Sequence, residues 1–203
     1  PTNDMFLVPE DNGLTAGFYL PGTGHRLFRL DSDLNLLANK DIGGGDYAHG
    51  NGSSAQKVVA GFNLLAVDNM NMLQQGGLNL IKYNSSWEAQ SKTQLVDIDK
   101  TNIGMASGVY TDQGTLIINA RVYENAYAKG QMPPPADPNA PLAQDGGKIK
   151  RFTFDSNYNL LSTEEIYSQG DANRPHTSLV GDKLLTTWDA GGKTYLRIDE
   201  VSY

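Results

Sequence analysis

With 203 residues, 39% of them hydrophobic, the chain is long enough to bury a core as one all-β domain. A formal charge of −7 and an isoelectric point near 4.8, with no Lys/Arg cluster to offset them, argue against nucleic acid as a partner. No apolar run reaches the about 18 residues of a membrane-spanning helix, no cationic and apolar leader opens the sequence, and the absence of cysteine removes disulfides, thiolate chemistry and cysteine-ligated metals.

In chain order, residues 5–8 are apolar, Glu10-Asp11-Asn12-Gly13 turns the chain, and 14–20 predict a second strand. The Asn-Gly pair supplies the positive φ angles of a tight hairpin. Residues 25–30 alternate as a third strand, Asp31 to Asn35 turn, and 36–42 make a fourth. The order then repeats. Strands are predicted over 55–60 and 64–68 about a turn at Gly61-Phe62-Asn63, over 78–83, and from beyond Asn84-Ser85-Ser86 through Ile98. A third set runs over 106–110, 115–123, 149–154 and 160–167, with turns at 111–114 and at Asp155-Ser156-Asn157. A fourth has three strands only, 177–180, 184–188 and 193–198. No helical period longer than two turns is present.

The repeat carries a residue signature: a glycine pair or near-pair, an alternating strand, then Asp or Asn at a tight turn. Its copies span Gly24 to Asp31, Gly77 to Asn84, Gly147 to Asp155 and Gly192 to Asp199, recurring after 53, 70 and 45 residues. That spacing suits one four-stranded unit per copy, with an insertion in the longest interval. The plainest match is Asp31-Ser32-Asp33-Leu34-Asn35-Leu36-Leu37 against Asp155-Ser156-Asn157-Tyr158-Asn159-Leu160-Leu161. Phe28 and Leu30, Ile81 and Tyr83, Phe152 and Phe154, and Leu196 and Ile198 are then expected at equivalent third-strand positions.

Tandem four-stranded meanders of this kind resemble the β-propeller repeat proteins, over nearly the whole chain and in architecture only. Trp188-Asp189 matches the dipeptide of the WD-repeat family but sits on a second strand rather than at the end of a third, and the aspartate box of sialidases is absent. The resemblance implies an all-β fold: a β-propeller of four-stranded antiparallel blades, about four visible, at 5–42, 53–98, 105–167 and 176–203, the last blade incomplete. A small four-bladed ring is the first expectation, a piece of a longer ring the second. An open arc would expose two apolar blade faces. The three-stranded last unit also leaves 193–198 with an unpaired edge, so self-association or further blades are expected to cover it.

In a propeller, the loops leading into each innermost strand and those joining second and third strands emerge on one face. Here these are 43–51, 99–104 and 169–176 with 21–24, 69–77, 189–192 and the proline-bearing insert 124–145. Loops of that length are usually functional or disordered. Two of them share Gly-Asp followed by histidine: Gly45-Asp46 with His49, and Gly170-Asp171 with His176. Two imidazoles and two carboxylates on one face can hold a divalent metal or supply a general acid and base. The simpler reading is that they cap turns and bond backbone amides. Arg174 has the planar fork that grips a carboxylate or phosphate, or else pairs with Asp171. Asp46, His49, Asn51, Asp171, Asn173, Arg174 and His176 are therefore the candidate ligand contacts. His25 reads as a surface residue, and Trp87, Tyr83 and Tyr158 as packing aromatics.

The Asp31-x-Asp33-x-Asn35 turn lacks the glycine and the later acid of a calcium loop, so hairpin chemistry accounts for it. Nothing matches a phosphate loop, a dinucleotide fingerprint, a nucleophile elbow or a paired-histidine zinc helix. No cofactor, metal or catalytic residue is assigned. The expected role is a secreted or cell-surface (extracellular or periplasmic) binding or structural module with a protein or carbohydrate ligand. The alternative is a hydrolase or lyase using the Asp and His residues of the same face.

Overall fold

A computed structural model gives the fold, describing residues 5–20, 24–43, 51–52, 54–67, 76–97, 101–124 and 147–201, with the backbone alone at 51, 52, 101 and 124. Every regular element among them is a strand. The first unit is a meander of β1 (Met5–Glu10), β2 (Gly13–Leu20), β3 (Gly24–Asp31) and β4 (Leu36–Gly43), with β5 (Asn51–Gly52) added parallel to β1. The second unit is β6 (Ala55–Val58), β7 (Gly61–Val67), β8 (Leu78–Asn84) and β9 (Ala89–Val96). Six further strands follow in sequence order: β10 (Thr101–Tyr110), β11 (Leu116–Glu124), β12 (Gly147–Phe154), β13 (Leu160–Val180), β14 (Lys183–Ala190) and β15 (Lys193–Glu200). They form two units sharing one long strand. The first part of β13 pairs with β12, and its last part with β14, all antiparallel.

The recurring turn is built by one side chain. Asp31 Oδ1 accepts hydrogen bonds from the backbone N–H of Asp33 and Asn35 at 2.9 and 2.8 Å, and Asn35 Nδ2 donates to its Oδ2 at 3.0 Å. Asp155 does the same with Asn157 and Asn159, each bond 2.8 Å. Asn84 copies the motif with Ser86 and Glu88 at 2.9 Å and donates its own Nδ2 to Glu88 Oε2. In each loop the residue three past the anchor is left-handed: Leu34, Trp87 and Tyr158 have φ of 65°, 61° and 65°. Hairpin chemistry thus explains the calcium-like spacing. The fourth copy departs from the expectation. Asp199 lies inside β15, and its carboxylate accepts from Arg151 and Arg197. The turn expected at 61–63 is shifted too: Val59 and Ala60 turn, and Gly61 opens β7 at φ 135°, where a Cβ would lie 1.9 Å from the Tyr83 carbonyl oxygen.

Packing follows from period-two alternation with both faces buried. On β7, Leu65 and Val67 pack with Leu78 and Leu80 against Ile103, Leu116, Ile118, Val122 and Phe154 of the third unit. Phe62, Leu64 and Ala66 point the other way and join Ile81, Tyr83 and Trp87 against Phe6, Val8 and Leu27 of the first unit. Tyr83 and Trp87 therefore serve packing, as expected, and Tyr158 is half-buried under Lys82, whose Nζ lies 4.8 Å from its ring. His25 is a correction. It is only 2% exposed, against the rings of Phe6 and Tyr19, because it falls on the inward face of β3.

The fourth unit is slipped by one residue relative to the others. Ile81 and Tyr83, like Phe152 and Phe154, face the preceding unit. Their expected counterparts Leu196 and Ile198 face away from it and are each 58% exposed. Tyr195, Arg197 and Asp199 take the inward positions, opposite Trp188, Thr186 and Leu184. A slip of one residue exchanges the two faces of a strand. The outer face of the fourth unit thus shows Val180, Leu196 and Ile198, and that of the first shows Met5, Leu7 and Leu36, all exposed. Among the described residues β15 pairs with β14 alone.

Candidate functional site

The turns that follow the third strands of the first three units lie at one end, as does the 181–182 turn of the fourth, whereas its 191–192 turn lies at the other. Arg29 of the first unit reaches the Ser85 carbonyl in the turn of the second, and Asn63 of the second reaches Tyr110 at the turn end of the third. At the opposite end β2, β4, β7, β9 and β11 run toward 21–23, 44–50, 68–75, 98–100 and 125–146. Asp46 and His49 fall outside the described residues, and Asn51 is placed only by its backbone, paired with Met5.

The segment 169–176, expected as a loop, is strand. β13 runs through it with register shifts, and Gly170 (φ 82°) and Arg174 (φ 50°) absorb the swivel from one unit to the next. Left-handed residues in bulges re-aim a strand while disrupting its pairing only locally. The pairs Gly147–Ala172 and Asn173–Asp189 flank the swivel. Asp171 is exposed, and its Oδ1 accepts a 2.8 Å hydrogen bond from the Tyr167 hydroxyl. That carboxylate, with smaller contributions from burial and Tyr195, pushes the Tyr167 pKa up to about 12. Arg174 is exposed, and His176 is half-buried opposite Thr187. The acceptor for Tyr167 is thus Asp171, the residue that one of the two readings of Arg174 pairs with that arginine. Among the described residues no three His, Asp or Glu side chains gather closely enough to hold a metal ion.

The residue that sequence reasoning missed is Arg121, on β11. Asn173 Oδ1 accepts from both Arg121 Nη1 at 2.8 Å and the Arg174 backbone N–H at 3.0 Å. The guanidinium carbon lies 4.2 Å from the centre of the Tyr123 ring. The stem crosses Gly147, where a Cβ would come within 2.4 Å of Arg121 Cγ, so only glycine leaves it room. Nε is buried without an acceptor, and burial pulls the pKa down to about 10. A clue was present: one arginine within the run Leu116–Glu124 is a cation at a position set by period-two alternation to face inward.

Among the described residues two clefts lie at the end of the anchor turns, and their charges are already matched. One of about 310 Å³ between the first and second units holds Arg29, which pairs with Glu10 and stacks on Trp87. The other, about 360 Å³, holds Arg151, Glu164 and Asp199, bonded to one another.

No protein-family model and no curated protein matches this sequence. Solved structures do match in fold. Xylan β-1,4-xylosidase from Bacillus halodurans C-125 has a TM-score of 0.60 at 12% identity, over 98% of this chain and 40% of that one. A variant of Synechocystis apocarotenoid oxygenase scores 0.55 at 12% identity, over 97% of this chain and 49% of that one. The subtype N10 neuraminidase-like protein of A/little yellow-shouldered bat/Guatemala scores 0.53 at 9% identity, over 98% and 58%. The xylosidase and the neuraminidase-like protein have propeller-like folds, and at such identities the likeness speaks for the fold alone. This chain spans from two fifths to under three fifths of these neighbours' lengths.

Proposed function

We propose that the four units are consecutive blades of a β-propeller, at 5–42, 53–98, 105–167 and 176–203, forming an arc of a longer ring. Support comes from the two exposed apolar end faces and from neighbours that align almost all of this chain within much longer folds. Further blades, or another copy of this chain, then cover the edge strand 193–198. Native mass spectrometry separates the two: a parent chain well above 22.0 kDa means more blades, and a multiple of 22.0 kDa means self-association.

On that scaffold the reading is a secreted or cell-surface module binding a carbohydrate or protein ligand at the end opposite the anchor turns. Its contacts are Asp46, His49, Asn51, Asp171, Asn173, Arg174 and His176, with Arg121 added. The observation that carries this is the β13 swivel, which presents Asp171, Asn173 and Arg174 beside a half-buried cation lacking a carboxylate partner among the described residues. The fold likeness to a xylosidase favours a second reading, a hydrolase using Asp46, His49, Asp171 and His176. The variant His49→Ala/His176→Ala, assayed on aryl glycosides, decides between them. A binding module shows no wild-type turnover to lose and only a modest stability change; a hydrolase loses orders of magnitude in rate.

A further inference from the structure

We infer that Arg121 and Arg174, joined through Asn173, form a subsite for the carboxylate of a small acidic ligand. This rests on the binding reading above and names the chemistry of that site. Arg26, Arg29, Arg151 and Arg197 each meet a carboxylate: Asp41, Glu10, Asp199 with Glu164, and again Asp199 with Glu164. Among the described residues Arg121 meets only an amide oxygen and an aromatic face. It is nevertheless held in place. Gly147 beneath its stem, Tyr123 against its plane and Asn173 on Nη1 fix the guanidinium before any ligand arrives, which lowers the ordering cost of binding.

The geometry also selects the end of the fork that is used. Nε is covered, so the Nη edge is what remains for a ligand, and two parallel N–H groups suit the two oxygens of a carboxylate. Asn173 Oδ1 also accepts from the backbone N–H of Arg174, the next residue along the strand. Arg174 carries its own guanidinium in an exposed, left-handed position. Asp171 and Asp189, the cross-strand partner of Asn173, stand beside the two arginines and balance them, so the spot suits a single carboxylate better than a dianion. A phosphate dianion would bring a second charge into a protein whose own formal charge is −7. Arg121 stays protonated at neutral pH, since its lowered pKa of about 10 is still well above 7.

The test is calorimetric titration of the full chain at low salt with glucuronate, glucose and inorganic phosphate. Glucuronate and glucose differ only in carboxylate against hydroxymethyl. Saturable binding of glucuronate, none of glucose, weaker binding of phosphate, and at least a ten-fold loss in Arg121→Met are the expected results. Arg121→Lys keeps the charge without the fork, so it should fold and still lose affinity several-fold; it stands in if Arg121→Met does not fold. Phosphate binding tighter than glucuronate overturns the carboxylate assignment. Glucuronate binding unchanged in both variants overturns the role of Arg121. No glucuronate binding at all overturns the subsite, and if a neutral glycan or a protein still binds in an Arg174-dependent way, the broader binding reading survives it.

Discussion

The interface between the second and third units has an apolar core, whereas that between the third and fourth joins a buried polar network to a smaller apolar cluster of Ile149, Trp188 and Ala190, and the two use opposite faces of the same strands. On β11, Leu116, Ile118, Ala120 and Val122 face the second unit and form part of a continuous apolar core. The alternate positions include Asn119 and Arg121. Asn119 Nδ2 donates to Thr177 and Thr186, and Arg151 donates to Asn119, Thr186 and Asp199. Thr177 in turn donates its backbone N–H to Ser107. Burial alone therefore does not distinguish the two seams. What differs is the kind of term holding them: one depends on apolar area, the other also on the hydrogen bonds among Asn119, Arg151, Thr177, Thr186 and Asp199.

The contrast breaks most sharply at the centre of the apolar seam. Phe154 is fully buried. Phe154→Ala should cost about 3–5 kcal/mol, the range for deleting a buried aromatic, read as a lowered urea midpoint with an unchanged slope. In the polar seam, Arg151→Met removes one of the two arginines that meet Asp199 and Glu164, leaving Arg197 on both. The expected cost is smaller, about 2–3 kcal/mol, dominated by the groups left without donors. Adding Asp199→Leu to Arg151→Met should recover a good part of it, because replacing a buried ionic network by apolar groups is often neutral. If the double variant is less stable than Arg151→Met alone, the polar seam contributes stability outright.

How much of this the sequence carried follows from the same contrast. Strands with several apolar residues on a buried face, such as Leu78–Asn84 and Gly147–Phe154, were legible together with their glycine pairs and turn anchors. The fourth unit was not. Its strand Lys193–Glu200 offers Leu196 and Ile198 as the apolar set, and alternation assigns them inward. The fold turns Tyr195, Arg197 and Asp199 inward instead, since the facing positions Asn119 and Arg151 are polar and require partners. That requirement is set by residues scores of positions away, and no local pattern contains it. The same holds for the candidate site. Asp171, Asn173 and Arg174 were read as loop from their composition, whereas the pairing of Ala172 with Gly147 and of Asn173 with Asp189 keeps the stretch in β13. Arg121 was overlooked because its meaning lies in Asn173, a long-range contact.

Acid sharpens the comparison at a smaller scale. Burial alone would raise the Asp199 pKa, but hydrogen bonds from Arg151 and Arg197 outweigh it and hold the carboxyl below its ordinary value of 3.8. A carboxylate lowered in the folded state stabilises fully above its unfolded value, and that contribution disappears as pH falls through the folded one. The polar seam should therefore weaken below about pH 4, while the apolar seam carries no such group among its core residues. Asp199→Asn should flatten the acid limb of a stability–pH curve relative to wild type. An unchanged acid limb would place the titrating groups elsewhere, among the turn anchors Asp31 and Asp155, whose carboxyls are lowered by Asn35 and Asn159, and the paired Asp11 and Asp41, lowered by Lys57 and Arg26.

The smallest expected effect compares an end unit with an inner one at equivalent positions. Leu34 and Trp87 both sit three residues past a turn anchor and both hold a left-handed backbone, φ 65° and 61°. An L residue with a Cβ is strained there, and glycine is not. Trp87 is 5% exposed, packed in the core between the first and second units with Arg29 4.7 Å over its ring. Leu34 is 65% exposed, on the unit whose outer face is bare. One backbone strain is thus offset by burial and the other is not. Leu34→Gly should stabilise the protein by up to about 1 kcal/mol, the relief of strain being reduced by the extra freedom glycine has in the unfolded chain. Trp87→Gly should destabilise it by several times that amount through lost packing. Thermal melts of the two variants give opposite signs if the turn geometry is set by the Asp and Asn anchors. A destabilised Leu34→Gly would mean instead that Leu34 is covered in the native assembly, as by the further blade or second copy proposed above.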